Sequence, residues 1–102
     1  MNTTRNCNTT RAGDAWPEDT RKAVWQKGTV TELLDPDLFR YDSCGYLISY
    51  VFFGDREVAL GWEIDHIRAS INGGGDEVSN LQPLNWKNNA AKGDRLEWIC
   101  GQ

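Results

Sequence analysis

Residues 61–94 read GWEIDHIRASINGGGDEVSNLQPLNWKNNAAKGD, and the organisation of the whole chain follows from this stretch. Residues 62–67 are a strand-like run that carries Asp65 and His66, the one histidine of the sequence, at its end. A polar segment over 68–79 follows, in which Gly73, Gly74 and Gly75 relieve the backbone of steric restriction. Leu81-Gln82-Pro83-Leu84 is a short extended piece, and Pro83, having no N–H to donate, confines it to an edge or an end. Asn85 is suited to cap a helix running through Trp86 to Lys92, with Gly93 just past its C-terminus. On that helix Asn85, Asn88, Asn89 and Lys92 fall at i, i+3, i+4 and i+7 and make one polar stripe, beside a second stripe of Trp86 and Ala90 that can pack on the strands. A compact unit thus gathers aspartate, histidine and asparagine, residue types that bind cations and activate water.

Outward from this unit the signals are simpler. Residues 46–53, YLISYVFF, are dense in β-branched and aromatic side chains and close on Gly54-Asp55, which predicts a strand turning into a hairpin. Pro17 followed by Glu18 and Asp19 reads as a helix start, with Gly28 as its stop, so a short helix is expected over 18–27 with Ala23 or Val24 and Trp25 available to the core. Asp35-Pro36-Asp37 reads as a turn. Residues 1–15 are rich in Asn and Thr without periodicity and are expected to form a mobile arm, leaving 16–102 as a single α+β domain.

Composition sets limits on function. With 102 residues, 39% of them hydrophobic and 25% charged, the chain has the profile of one globular domain with one modest core. No apolar run approaches the ~20 residues of a membrane helix, and the first residues have no apolar segment of the kind a secretory signal needs, so no membrane partner and a cytoplasmic location are expected. Cys7, Cys44 and Cys100 are odd in number and form no C-x-x-C pair, which reads as free thiols. Eleven basic against fifteen acidic residues give a net charge of −4, a balance that opposes binding to phosphate backbones. Two features reduce the conflict: a bound divalent cation would add positive charge where a phosphate sits, and Arg5, Arg11, Arg21, Lys22 and Lys27 against Asp14, Glu18 and Asp19 make the N-terminal end locally basic.

The ordered pattern Glu63-Ile64-Asp65-His66-Ile67, Gly73-Gly74-x-Asp76, Asn80-Leu81-Gln82-x-Leu84 and Asn88-Asn89-x-x-Lys92 resembles the HNH endonuclease family, whose core is a ββα-metal finger. The resemblance covers residues 61–94, about a third of the chain. It implies Asp65 as a metal ligand, His66 as general base, Asn80 as the brace that orients His66, and Asn89 as the second metal ligand. It further implies a divalent-metal-dependent DNA endonuclease that leaves a 5′-phosphate and a 3′-hydroxyl. One finger holds one site, so a monomer would nick duplex DNA and a homodimer could break both strands; the oligomeric state is left open.

The chemistry of the side chains is compatible with those roles. Hydrolysis of a phosphodiester needs an activated water and stabilisation of the charge that builds on phosphorus and the leaving oxygen. Histidine is the side chain whose ordinary titration range lies near neutrality, and His66 is the only one present. Strand alternation places Asp65 and His66 on opposite faces, which suits in-line displacement if the phosphate is held at the strand's end. One carboxylate and one amide oxygen suit Mg²⁺ or Mn²⁺ better than zinc. Lys92, Arg68, Lys87 and Arg95 are the expected phosphate contacts, and Trp62 and Trp86 are expected in the core rather than as stacking platforms. Bland readings stand beside these: a structural histidine, a flexible triple glycine, a solvated asparagine face and a surface lysine. The competing functions are an RNase or toxin-like nuclease, and a catalytically silent nucleic-acid or protein-binding module.

Overall fold

The computed structural model describes residues 8–101. Helix α1 spans Glu18–Trp25, and strands β1 (Phe39–Tyr41) and β2 (Leu47–Ser49) pair antiparallel; β3 (Trp62–His66) and β4 (Leu81–Asn85) form a second antiparallel pair, and α2 (Trp86–Lys92) closes the chain's ββα unit. The described residues therefore make an α+β fold of two helices and two two-stranded sheets. Among them no helix is long and apolar enough to cross a membrane.

Helix α1 buries Val24 and Trp25. Its last turns tighten through bonds from Lys27 N–H to the Val24 carbonyl and from Gly28 N–H to the Trp25 carbonyl. The core is built on Trp62, which is fully buried, with ring centroids of Trp25, Phe53 and Tyr50 at 5.1, 4.9 and 6.0 Å. Trp16, Val24, Ile48, Ile64 and Leu81 complete it. Trp62 is thus a core residue. Trp86 is half-buried, donating its indole N–H to the Val58 carbonyl at 2.9 Å.

The run 46–53 does not form one strand ending in a hairpin. After Ser49 the chain turns as a 3₁₀ segment, Tyr50–Phe52: Tyr50 N–H still bonds the Leu38 carbonyl in the β1 register, while Phe53 N–H closes back on the Tyr50 carbonyl and Ser49 N–H bonds the Leu60 carbonyl. The aromatic residues beyond that point pack on Trp62 instead of extending the sheet. The turn of the hairpin lies before the run: Asp42 Oδ1 accepts from Cys44 and Tyr46 N–H at 2.9 and 2.8 Å, and Gly45 takes a positive φ of 82°.

The free-thiol reading is corrected at two of the three cysteines. Cys44 and Cys100, 56 positions apart in sequence, form a disulfide with Cα atoms 5.5 Å apart. A spacing pattern reports only local pairs, whereas this bond depends on the C-terminal segment folding back onto the β1–β2 turn. Cys7 lies outside the described residues. Iodoacetamide followed by peptide mapping should leave Cys44 and Cys100 unlabelled before reduction and label both after it. Labelling of either one in the unreduced, folded protein contradicts the pairing. Removing the bond should cost about 2–4 kcal/mol, the usual range for a loop of this size.

Of the segment expected as a mobile arm, residues 1–7 lie outside the described residues. Residues 8–14 lie against the ββα unit. Asn8 Oδ1 accepts from Ile64 N–H at 2.8 Å, and Arg11 N–H donates to Asp76 Oδ1 at 2.9 Å.

Candidate functional site

The register of β3 on β4 sets Trp62 opposite Asn85, Ile64 opposite Pro83 and His66 opposite Leu81. Trp62, Ile64 and His66 share one face by alternation, and Glu63 and Asp65 share the other. Pro83 occurs within β4 because the strand pairs on one side only, where its missing N–H costs nothing. Asn85 caps α2, its side chain accepting from Lys87 N–H at 3.0 Å.

The Glu63–Asp65 face meets α2 in two polar rungs. Asn89 Nδ2 donates to Glu63 Oε1 at 2.7 Å, and Arg56 holds the same carboxylate through Nε and Nη2 at 2.7 and 2.8 Å. Lys92 Nζ stands 3.3 Å from Asp65 and donates to the His66 carbonyl at 3.0 Å, while Gln82 Nε2 donates to Asp65 Oδ2 at 2.9 Å. Glu63, Asp65, Asn89 and Lys92 are all buried. Two carboxylates against a guanidinium and an ammonium make the network formally neutral, the condition under which charges tolerate burial.

The polar stripe of α2 is therefore neither a solvated face nor a row of open ligands. Asn88 is buried as well, donating to Asp42 Oδ2 at 2.9 Å, and the same oxygen accepts from Asn85 N–H at 2.8 Å. Ala90, expected to pack on the strands, is exposed. The helix turns Asn88, Asn89 and Lys92 inward because Asp42, Glu63 and Asp65 stand opposite to receive them.

His66 lies on the other face, at the end of β3. Its Nε2 is 2.8 Å from Asp76 Oδ1, its ring centroid is 5.4 Å from that of Trp16, and its side chain is 11% exposed. It lines a polar pocket of about 160 Å³ together with Thr9, Thr10, Arg11, Ser70 and Asp94. Asn80 closes the base of the loop that carries Asp76. Its Oδ1 accepts from Arg68 N–H at 2.9 Å, and its Nδ2 donates to the Arg68 and Gly75 carbonyls at 3.1 and 2.8 Å. Gly74 is needed in this loop, since a Cβ there would overlap the Arg68 carbonyl oxygen.

The four cations expected around the site are dispersed. Lys92 is internal, Arg68 Nε donates to the Asn72 carbonyl at 2.8 Å, Lys87 lies over the Trp86 ring at 5.8 Å, and Arg95 is exposed. Cations of the N-terminal half also serve the fold: Lys27 Nζ donates to the Val78 and Leu81 carbonyls, and Arg40 to those of Pro36, Gln26 and Gly28. Arg11 was given no site role by the sequence, yet it reaches the pocket.

Asp65 and Asn89 as folded do not fit a hydrated divalent ion. The Asp65 side chain has no solvent exposure and already faces an ammonium, and the Asn89 amide is directed to Glu63. An octahedral ion that keeps several waters would require Lys92 to leave. Among the described residues no group of three or more His, Cys, Asp and Glu side chains is arranged to hold a metal.

Sequence reasoning missed Glu63, Arg56 and Asp76 as functional partners. Glu63 and Asp76 stood in the ordered pattern of residues 61–94, but nothing local showed that one would be buried with Arg56 and the other would reach His66. The chain matches no protein-family model, no curated protein and no solved structure.

Proposed function

We propose that the chain is an HNH-like phosphodiester hydrolase that nicks duplex DNA in the presence of a divalent cation, Mg²⁺ or Mn²⁺. One observation carries the reading: the sole histidine stands at the end of a ββα unit, lines a polar pocket and has a carboxylate on one ring nitrogen. That arrangement suits removal of a proton from a water that attacks phosphorus. Trp16 and Asp76 fix the ring, Asn80 braces the loop beside it, and Arg11 with Thr10 and Ser70 offers hydrogen bonds to phosphate oxygens. A bound cation would supply charge neutralisation at phosphorus. Asp65, engaged by Lys92 and Gln82, would have to give up the Lys92 ammonium before its carboxylate could help hold that ion.

With Lys92 internal, Arg68, Lys87 and Arg95 are the exposed cations of the expected set left for phosphate. About three contacts give a slope of roughly −3 in log K against log salt. Binding should show little sequence preference, since phosphate contacts carry no sequence information. Filter binding of duplex DNA, single-stranded DNA and structured RNA over a salt series checks both points. Tighter binding and faster cleavage of RNA would instead support the RNase alternative.

A second reading is a catalytically silent ββα scaffold. The buried Lys92–Asp65 pair and the net charge of −4 favour it. Cleavage that persists with added Mg²⁺ or Mn²⁺ and stops with a chelator removes this reading; an effect of neither addition supports it.

A further inference from the structure

We infer that Asp76 is a positioning residue that holds the His66 ring with its proton on Nε2, leaving Nδ1 as the ring's acceptor. The inference deepens the proposed function and rests on its assignment of His66. A carboxylate oxygen accepts and does not donate, so the 2.8 Å contact between Asp76 Oδ1 and His66 Nε2 requires the hydrogen to be on Nε2. In a neutral imidazole the other nitrogen then carries the lone pair. Nδ1 makes no hydrogen bond among the described residues. The general base of the proposed reaction is accordingly Nδ1.

Asp76 is itself held from a distant part of the chain. The same Oδ1 accepts from Arg11 N–H at 2.9 Å. Arg11 belongs to a segment with its own internal bonds, Thr10 N–H to the Asp14 carbonyl at 2.8 Å and Asp14 N–H to Thr10 Oγ1 at 3.0 Å. Asn8 docks the start of that segment on Ile64, two residues before His66 on the same face of β3. Trp16, just beyond it, covers the imidazole. Three contacts, from Arg11, Trp16 and the 68–79 loop, thus converge on one ring and its carboxylate.

Because His66 is the only histidine, a long-range ¹H–¹⁵N correlation spectrum of the uniformly labelled protein reads its tautomer without assignment. With the ring neutral, the Nε2–H form should exceed the Nδ1–H form by about tenfold or more, the ratio a charge-assisted hydrogen bond sustains. Asp76→Ala should abolish that excess, and Asp76→Asn, which keeps an acceptor oxygen, should retain part of it. A wild-type spectrum dominated by Nδ1–H overturns the inference whether or not the variants fold, as does Asp76→Ala with the wild-type ratio. If the tautomer follows Asp76 and the wild type cuts no DNA, the positioning role stands and the nuclease reading fails. If the wild type cuts DNA and Asp76→Ala keeps both tautomer ratio and rate, the reverse holds. Where both stand, Asp76→Ala should lower kcat by on the order of 10²- to 10⁴-fold with KM little changed.

Discussion

His66→Ala should slow nicking of duplex DNA by ~10²–10⁴-fold, the usual contribution of a positioned acid or base. The protein should stay folded while this happens. His66 gives up one hydrogen bond to a half-exposed carboxylate and one ring contact with Trp16, a loss of about 1–2 kcal/mol against a typical domain stability of 5–15 kcal/mol. The urea midpoint and the nicking rate, measured on the same preparation, therefore separate chemistry from unfolding. A folded His66→Ala protein that cuts at the wild-type rate removes His66 from the reaction.

Lys92→Met should destabilise the fold by about 3–5 kcal/mol, because it leaves the buried Asp65 carboxylate without its cationic partner. The methionine preserves the aliphatic stem, so packing is a minor part of the loss. A second substitution identifies the cause: Asp65→Asn in the Lys92→Met background should recover most of the stability, since the charge that needed an ammonium is then gone. Mg²⁺ or Mn²⁺ should raise the urea midpoint of Lys92→Met more than that of the wild type, because a cation that binds only the folded state stabilises it by mass action. A Lys92→Met variant within about 1 kcal/mol of the wild type contradicts the buried pair as a structural link.

The order of elements in 61–94 was legible because each boundary carries a local signal. Pro83 marks a strand paired on one side, Asn85 supplies a cap with its own side chain, and Gly93 takes a positive φ of 58° at the helix end. Trp62 was legible as core for its size and its place in an apolar strand face. What the sequence hid was the direction of the polar stripe on α2. Helical periodicity shows that Asn85, Asn88, Asn89 and Lys92 share a face; whether that face meets water depends on what stands opposite. Asp42, Glu63 and Asp65 stand there, 46, 26 and 27 residues away from Asn88, Asn89 and Lys92 respectively.

The site shows the same division. Asp65 and His66 on opposite faces of a strand end follow from alternation, and the contacts made by the two residues fit that expectation. Asp76 is separated from His66 by a loop whose course depends on Asn80 and on a close approach at Gly74, and no periodicity encodes such a path. The strand over 46–53 was overestimated because aromatic and β-branched residues suit a core-lining turn as well as a pleated edge. The Cys44–Cys100 bond is another contact between distant segments, brought together by the path of the C-terminus.

The most direct test of the account is conversion of supercoiled plasmid to open circles by the purified wild-type chain in Mg²⁺, in Mn²⁺ and in EDTA, with His66→Ala alongside. Open circles are expected with either ion, none in EDTA, and a rate for His66→Ala lower by at least about a hundredfold. Plasmid that stays supercoiled with both ions, in a preparation shown to be folded, contradicts the hydrolase and leaves the ββα unit as a scaffold.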